Sequence, residues 1–472
     1  MYEHDTIAAI ATPAGSGGVA IVRISGERAE PVVRAVFQPD QPWAHLHSHH
    51  LYVGRVTDPL TGQTLDQALL ALMRAPHSYT GEDVAEIQCH GGSFLARRIL
   101  ETVLKHGARL ALPGEFTRRA FLNGRLDLSQ AEAVLDLIQA KSAGGLRLAW
   151  EQVSGRLSEQ CGRLREQLLG LTAHIEAFLD FPDEDIPART QAEIGRDLSG
   201  LIEAVGRLHA SFAQGKVYRD GLRTVIVGKP NVGKSSLLNA LTGTDRAIVT
   251  PVPGTTRDTL EETVTIGDIP LVVWDTAGLR ASRDEVERRG IERTRAGIEQ
   301  AELVLAVFDA SRAFDAEDKT VCEYIDGKQV VPILNKIDLS AQTTPDELEA
   351  RLRVGPPVAI SAQNGTGLAG LADRITGLVF GAGPAGQNGP ARPAEPAENG
   401  GGLLVTRLRH RDALIKAEQC LTSARDSLRS GLPLDLVAVD LRAALDHIGE
   451  ITGQVSSEDI LDRIFGEFCI GK

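Results

Sequence analysis

One stretch decides the fold of this chain: Val225-Ile226-Val227-Gly228-Lys229-Pro230-Asn231-Val232-Gly233-Lys234-Ser235-Ser236. It fits the pattern G-x-x-x-x-G-K-[ST] between a β-branched run and an apolar run, which predicts a strand, a phosphate-binding loop and a helix. The two glycines let the backbone curl so that its N–H groups point at phosphate oxygens. We expect Lys234 to contact the β- and γ-phosphates and Ser235 to bind Mg²⁺. The stretch therefore predicts an α/β domain that binds a nucleotide.

The base is predicted by a later apolar run, Val330 to Leu334, which leads into Asn335-Lys336-Ile337-Asp338. A carboxylate at Asp338 can accept hydrogen bonds from N1–H and the 2-amino group of guanine, and adenine lacks this pair of donors. By itself such a polar strand end is also typical of a simple turn. Two further motifs support guanine: Asp275-Thr276-Ala277-Gly278 fits the D-x-x-G turn that senses the γ-phosphate, and the backbone of Ser361-Ala362 can meet guanine O6. In this order, the motifs predict a Ras-like α/β P-loop GTPase, a hydrolase acting on an acid anhydride.

The hydrolysis chemistry departs from the Ras pattern at Leu279, where Ras-like GTPases carry the glutamine that orients water. Because leucine cannot orient water, another group must stabilise the transition state. Asn231 and the oxygen-rich loop from Thr250 to Asp258 could hold a monovalent cation there, and Thr256 would complete the Mg²⁺ coordination. The alternative for Asn231 is a hydrogen-bonded loop residue.

Composition limits the remaining function classes. The chain has 472 residues, which predicts about three domains, and 42% of them are hydrophobic. A net charge of −13 argues against a general polyanion-binding surface, so any contact with nucleic acid would be local or made through a partner. The five scattered cysteines fit a reducing compartment, and no signal peptide or spanning apolar run is recognisable. We expect a cytoplasmic protein without a membrane segment.

The order of the domains is predicted from changes in the spacing of apolar residues along the chain. Strand and turn signals up to Leu122 predict an α+β domain, in which four histidines (His45, His47, His49 and His50) raise a metal site as an alternative to plain surface residues. Apolar residues at steps of three and four from Leu146 to Phe178 predict one long helix that ends at Pro182 and packs in a bundle, with a long coiled coil as the alternative. The predicted segments are 1–122 (α+β), 123–215 (helical), 216–380 (inserted GTPase), 381–402 (flexible linker) and 403–472 (helical).

Together these pieces resemble the tRNA modification GTPase family known as MnmE or TrmE over nearly the whole chain. The matching stretches are Gly17 to Gly26, Ser78 to Gly92, Pro113 to Ile138, Phe181 to Asp185, the GTPase motifs with Gly254-Thr255-Thr256-Arg257-Asp258, and Cys469-Ile470-Gly471-Lys472. The resemblance implies a homodimer with an N-terminal tetrahydrofolate-binding domain. It also implies a flavoprotein partner, MnmG, and a carboxymethylaminomethyl-type modification at C5 of wobble uridine 34 in certain tRNAs.

The resemblance also implies roles for single residues. A 5-formyl or 5,10-methylene tetrahydrofolate is expected near Arg23, Glu82, Arg125 and Lys472, although the family commonly has Lys where this chain has Arg125. Potassium is expected on Asn231, Thr250, Val252 and Thr255, magnesium on Ser235 and Thr256, and the residues that act in hydrolysis are expected to be Glu287 and Lys234. The full set of expected GTP-binding residues is Asn231, Val232, Gly233, Lys234, Ser235, Ser236, Thr250, Pro251, Val252, Pro253, Gly254, Thr255, Thr256, Asp275, Thr276, Ala277, Gly278, Asn335, Lys336, Ile337, Asp338, Ser361 and Ala362.

The GTPase motifs alone leave a second function open. A switch protein whose GTP state controls docking on RNA or on an assembling ribosome would carry the same motifs without folate chemistry. Titration with a reduced folate separates the two functions, because only the tRNA-modifying function requires a folate site.

Overall fold

The computed structural model describes residues 5–180, 189–244, 262–274, 297–352, 354–380 and 403–472. The chain divides into two compact units. Unit 1 comprises Met1–Leu135, Gln152–Ile194 and Ser423–Lys472, and unit 2 comprises Asp136–Glu151 and Gly195–Thr422. Among the described helices, none combines the length and the apolar character that a membrane span requires.

Unit 1 contains a seven-stranded sheet in the order β3-β4-β5-β6-β2-β1-β7. Its strands are β1 (Ile7–Ile10), β2 (Val19–Ser25), β3 (Phe37–Pro39), β4 (Leu51–Thr57), β5 (Thr64–Met73), β6 (Val84–His90) and β7 (Arg109–Leu110). Buried and exposed residues alternate along β4, as expected for a sheet with one covered face. On the covered face the strands form a core with helices α1 (Ala29–Val36) and α2 (Ser93–Lys105). The α+β prediction is therefore confirmed.

The helical elements follow the sheet. They are α3 (Glu115–Leu122), α4 (Leu128–Ile138), α5 (Ala143–Val153), α6 (Arg156–Asp180) and α7 (Gln191–Ala210). The prediction of one helix from Leu146 to Phe178 is wrong, because the chain breaks between α5 and α6, where Gly155 has a φ of +89°. Leu146 and Trp150 before the break are 49% and 61% exposed, whereas the apolar stripe of α6 is buried. The predicted helix end at Pro182 lies outside the described residues.

Unit 2 contains a six-stranded sheet in the order β13-β12-β11-β8-β10-β9. Helix α8 (Phe212–Asp220) precedes it, and its strands are β8 (Leu222–Val227), β9 (Glu262–Ile266), β10 (Ile269–Val273), β11 (Leu303–Asp309), β12 (Val330–Asn335) and β13 (Val358–Ala359). All pairs are parallel except β9 with β10. The all-buried runs of β11 and β12 are typical of a parallel sheet covered on both faces. The predicted α/β P-loop fold is confirmed.

The remaining helices of the α/β part lie between its strands or after them. They are α9 (Lys234–Thr244), α10 (Ala316–Tyr324), α11 (Pro345–Leu352) and α12 (Leu368–Phe380). The apolar residues form one core with β8 and α9 and another with β11 and α11. Because the carboxyl ends of parallel strands meet at one edge of the sheet, the loops after β8, β11 and β12 converge there.

Three long-range contacts join the beginning and the end of the α/β part. Asp136 of α4 accepts hydrogen bonds from Arg219 Nε of α8 at 3.1 Å and from Arg407 Nη2 at 2.7 Å. A Cβ on Gly215 would lie 2.2 Å from the carbonyl oxygen of Val405, so the backbones touch there. The chain therefore enters and leaves the α/β part at neighbouring points, as an inserted domain requires.

The last helices are α13 (Leu408–Arg429), α14 (Leu434–Thr452) and α15 (Glu458–Gly466). Within unit 1, α14 packs against α6 through buried residues that include Leu441, Leu445 and Ile448. The helices that follow the α/β part thus pack with a helix that precedes it, and Phe465 and Phe468 join a core with Leu128 of α4. The predicted all-helical part of the fold is confirmed, and its bounds, 123–215 and 403–472, stay a prediction.

Candidate functional site

The phosphate loop lies between β8 and α9 and depends on two glycines. Gly228 has a φ of +149° and Gly233 a φ of +101°. A Cβ on Gly228 would lie 2.4 Å from the carbonyl oxygen of Val307, and one on Gly233 would lie 2.3 Å from Asn335 Nδ2. Both distances are shorter than a real Cβ contact, so neighbouring strands leave room only for glycine at these two positions.

Lys234 begins α9 and folds back across the loop. Its Nζ donates to the carbonyl oxygens of Gly228 at 2.7 Å and of Lys229 at 2.9 Å. Burial lowers the pKa of Lys234, since the charged ammonium is partly removed from water. Ser235 and Ser236 follow in the first turn of α9 and are exposed. The ammonium group of Lys234 and the N-terminus of α9 therefore both lie at the concave side of the loop, and both favour binding of an anion there.

The predicted guanine segment is locked to the phosphate loop by Asn335 and Lys336. Asn335 Nδ2 donates to the carbonyl oxygen of Val232 at 2.9 Å, and its Oδ1 accepts from the backbone N–H of Ala362 at 3.0 Å. Lys336 Nζ donates to the carbonyl oxygen of Asn231 at 2.6 Å. The structure therefore brings together residues that the sequence places more than a hundred positions apart.

Asp309, at the end of β11, completes this arrangement and was not predicted. It accepts from Lys336 Nζ at 2.7 Å. Burial would raise the pKa of Asp309, but hydrogen bonds from Lys336 and Ser311 outweigh burial and lower it. The only signal in the sequence is a carboxylate that ends an otherwise apolar strand.

The other predicted guanine contacts lie beside Asn335. Ile337 and Asp338 are exposed, and the backbone N–H of Ile337 donates to the carbonyl oxygen of Ile360 at 3.3 Å. Ser361 is fully buried and pairs with Thr366 in an isolated β-bridge. The exposed carboxylate of Asp338 therefore lies beside two backbone turns, at 337–338 and 362–365.

Part of the predicted site lies outside the described residues. This part contains Thr250, Pro251, Val252, Pro253, Gly254, Thr255, Thr256, Asp275, Thr276, Ala277, Gly278 and Glu287.

A second cluster surrounds Arg23 on β2 of the N-terminal sheet. Arg23 Nε donates to Glu86 Oε1 at 2.8 Å, and Nη1 donates to the carbonyl oxygen of Gly471 at 3.4 Å. Its guanidinium lies 5.5 Å from the ring centroid of Tyr79 and 5.6 Å from that of Phe116. Arg23 is thus held by one carboxylate and two aromatic rings.

Lys472 joins this cluster through the final segment of the sequence. Burial lowers the pKa of Lys472, and the nearby charge of Arg23 lowers it further. Gly471 has a φ of +99°, and a Cβ there would lie 2.3 Å from the carbonyl oxygen of Ile10. The segment therefore docks on β1, which places Lys472 near Arg23.

Glu82 and Arg125, the other two residues expected at the folate site, differ in their contacts: Glu82 is hydrogen-bonded, and Arg125 is exposed. Glu82 accepts from Ser25 Oγ at 2.7 Å and from Arg119 Nη1 at 3.2 Å. Arg125 is exposed, and a Cβ on Gly81 would lie 3.2 Å from its Cγ. Sequence reasoning missed Glu86 as a site residue, although the alternation of β6 places it on the face opposite Ala85 and Ile87.

The histidine hypothesis finds no support in the described part of the chain. Within that part no group of three or more His, Cys, Asp and Glu side chains is arranged to hold a metal ion. His49 Nδ1 instead lies 2.8 Å from Ser48 Oγ, and His50 Nδ1 lies 3.0 Å from the carbonyl oxygen of Ser48.

Comparison with known proteins covers almost the whole chain. Residues 128–469 match the model of the MnmE helical domain, and residues 6–125 match that of the GTP-binding protein TrmE N-terminus. Proteins called tRNA modification GTPase MnmE are 47% identical in Heliobacterium modesticaldum, over 99% of both chains, and 47% identical in Geobacter sulfurreducens, over 100% of both chains. Among solved structures, Era in complex with MgGDPNP and nucleotides 1506-1542 of 16S ribosomal RNA is 29% identical, covers 42% of this chain and 66% of its own, and has a TM-score of 0.26.

Proposed function

This chain belongs to the MnmE family of tRNA modification GTPases, and we propose that it works with an MnmG-type flavoprotein on C5 of wobble uridine 34 in certain tRNAs. The group added is of the carboxymethylaminomethyl type, and a one-carbon tetrahydrofolate (5-formyl or 5,10-methylene) supplies carbon. GTP hydrolysis drives opening and closing of a homodimer. The observation that carries the proposal is that one chain combines a phosphate loop, held by Lys234 and Asn335, with a separate cluster in which Arg23 and Lys472 lie beside two aromatic rings.

The nucleotide site is assigned to the loops after β8, β12 and β13. The hydrogen bonds of Asn335 with Val232 and Ala362 support a guanine contact by Asp338. They fix the segment that would bind the base at a constant distance from the phosphate loop. Mg²⁺ would be held by the hydroxyls of Ser235 and Thr256, and hydroxyl oxygens suit this hard cation. Bound there, the ion would neutralise charge on the phosphate oxygens.

Potassium is assigned to Asn231, Thr250, Val252 and Thr255, with Glu287 orienting the attacking water. Support comes from Leu279, which cannot orient water, and from Asn231, which is exposed and has a φ of +65°. The bond from Lys336 to the carbonyl oxygen of Asn231 supports a rigid loop at this point. GTP turnover should then be at least about tenfold faster in potassium chloride than in sodium chloride of equal ionic strength. Equal rates in the two salts would remove the cation from the mechanism.

The folate site is assigned to Arg23, Glu82, Arg125 and Lys472. A reduced folate carries a flat ring system and carboxylates. The partly exposed ring of Tyr79 offers a surface for stacking, whereas Phe116 is fully buried and supports Arg23 from within the core. The charges of Arg23 and Lys472 can pair with carboxylates. Glu82 is tied to Arg119, so it would act from a fixed position.

A homodimer through the N-terminal sheet is supported by the sheet's second face. Leu51 pairs with Ala71, Ala71 with Glu86, and Glu86 with Arg23, so these side chains share one face. On that face Leu51 is 57% exposed and Val53 is 45% exposed. A second copy of the chain would cover this apolar surface and reach the edge of the Arg23 cluster.

The same proposal includes the domain bounds and the location. The domains are 1–122, 123–215, 216–380 and 403–472, with 381–402 as a linker. The neighbouring positions of Gly215 and Val405 support an inserted GTPase domain. The protein works in the cytoplasm, where its tRNA substrates and MnmG-type partner occur.

Mass spectrometry of tRNA nucleosides tests the proposal. A strain lacking the gene is complemented with the unchanged chain, with Lys234→Ala, with Arg23→Met or with the exposed control Arg207→Met on α7. We expect the C5-modified wobble uridine to return with the unchanged chain and the control, and to stay absent with the other two variants. Unaltered wobble uridines in the deletion strain would refute tRNA modification and favour the docking-switch function. Full modification by Arg23→Met would refute the proposed folate site alone.

A further inference from the structure

The phosphate loop carries a second lysine, Lys229, directly after Gly228. Lys229 is only 8% exposed, and its Nζ donates to Asp315 Oδ2 at 2.6 Å and to Asp318 Oδ2 at 2.7 Å. Hydrogen bonds to ionised partners are stronger than neutral ones, and a buried ion pair costs much more to break than a surface pair. Lys229 therefore anchors the loop.

The anchor point is the N-terminus of α10. Asp315 is the N-cap of this helix, and its side chain accepts from the backbone N–H groups of Glu317 and Asp318. Asp318 closes the capping box by accepting from the backbone N–H of Asp315 at 3.1 Å. Both carboxylates are therefore fixed by the helix end before they meet Lys229.

Lys229 is charged in this setting. Burial by itself would lower the pKa of Lys229, but hydrogen bonds with Asp315 and Asp318 and their negative charges outweigh burial and raise it. The hydrogen bond from Lys229 in turn lowers the pKa of Asp315. One ammonium group thus faces two carboxylates close to a loop that must receive an anion.

The main chain of Lys229 has its own role. Its carbonyl oxygen accepts from Lys234 Nζ at 2.9 Å, so the residue that binds α10 through its side chain also holds the phosphate-binding lysine. A second tie lies further along the loop, where Lys336 joins the carbonyl oxygen of Asn231 to Asp309. The loop is therefore tied directly to the start of α10 at Lys229, and to the end of β11 at Asn231 through Lys336.

We propose that Lys229 is a positioning residue for GTP, which shapes the phosphate loop through Asp315 and Asp318 and cancels carboxylate charge that would repel the nucleotide. The inference rests on the GTPase activity and not on the proposed folate chemistry. A residue that shapes the loop before the nucleotide arrives changes binding more than the chemical step. Loss of Lys229 should therefore appear mainly in KM.

Steady-state GTP hydrolysis by the full chain measures this role. Lys229→Met should raise KM for GTP at least about tenfold while kcat changes by less than about threefold. Lys229→Arg should stay within about threefold of the unchanged chain in both constants, because a guanidinium can still reach both carboxylates. Lys319→Met is the matched control, since it removes an exposed lysine from α10, and both constants should stay unchanged.

A double variant tests the charge argument. Adding Asp318→Asn to Lys229→Met removes one unpaired carboxylate, and asparagine can still serve the helix end. We expect the double variant to regain at least about threefold in KM relative to Lys229→Met. A merely structural role predicts no such recovery in the folded enzyme.

Two results would overturn the proposal. One is a KM of Lys229→Met within about twofold of the unchanged chain, and the other is an equal KM for the single and the double variant. If Lys229→Met does not fold, the double variant and Lys229→Arg carry the test. The double variant should then keep a KM at least about threefold above that of Lys229→Arg, and equal KM values for these two variants would overturn the proposal as well.

Discussion

Replacing Gly233 with alanine should uncouple the phosphate loop from the guanine segment. The φ of +101° at Gly233 is one that side chains rarely adopt, and the new Cβ would lie 2.3 Å from Asn335 Nδ2. That nitrogen donates to the carbonyl oxygen of Val232, and the same amide accepts from the N–H of Ala362. The Asn335 side chain must therefore move, and both hydrogen bonds are strained or lost.

The magnitude follows from these two effects. A left-handed conformation costs a residue with a Cβ about 1–2 kcal/mol, and each lost hydrogen bond costs roughly 0.5–1.5 kcal/mol. The sum is about 2–5 kcal/mol, which corresponds to a roughly 30- to 4,000-fold weaker binding of GTP. The loss falls on binding, because both effects act before hydrolysis.

Equilibrium titration with a fluorescent GTP analogue measures this loss. Gly243→Ala is the matched control, because Gly243 also lies in α9 but has nothing within 4 Å of its added Cβ. The control should bind GTP as the unchanged chain does, and its helix should gain about 0.5–1 kcal/mol from the better helix former. Binding by Gly233→Ala within about threefold of the unchanged chain would refute the reasoning.

Three further outcomes are expected. Asp338→Asn should weaken GTP and admit xanthosine triphosphate, because the amide matches the altered base edge; competition binding checks this, and an unchanged base preference contradicts it. Glu115→Gln should lower the free energy of unfolding by about 2–4 kcal/mol at pH 7, because the buried carboxylate pairs with Arg109 and Arg119. Burial would raise the pKa of Glu115, but those hydrogen bonds lower it, so this stability is present above the ordinary carboxyl pKa and is lost as pH falls through the lowered one. In urea unfolding, the gap between the variant and the unchanged chain should therefore close in acid. Burial raises the pKa of Cys322 to about 11, so its alkylation, followed by peptide mass spectrometry, should be slow at about pH 8 and rise towards pH 11.

The sequence predicted much of the nucleotide site because its signals are local. Gly228, Gly233 and Lys234 lie within a few positions of one another, and Asn335 to Asp338 end a recognisable apolar strand. Asp309 was missed because its partner, Lys336, directly follows the neighbouring strand β12. Only the register of β11 with β12 brings the two together, and that register is not visible in either segment alone.

The wrong prediction of a single helix from Leu146 to Phe178 has a similar cause. Apolar steps of three and four continue on both sides of Gly155, so the period alone predicts one helix. The break depends on a positive φ at Gly155, where an added Cβ would also approach Gln130 Nε2 at 3.2 Å. A glycine inside a helical pattern permits such a break without requiring it.

By itself the sequence determined the kinds of domain, because strand period, helix period and the phosphate-loop pattern are properties of short segments. Only the tertiary structure decided which distant side chains meet. Arg23 bonds to Gly471, 448 positions away, and Asp136 bonds to Arg407, 271 positions away. Such contacts arise when whole sheets and helices pack and bring their faces together, and no pattern within a short segment encodes the partner on the other element.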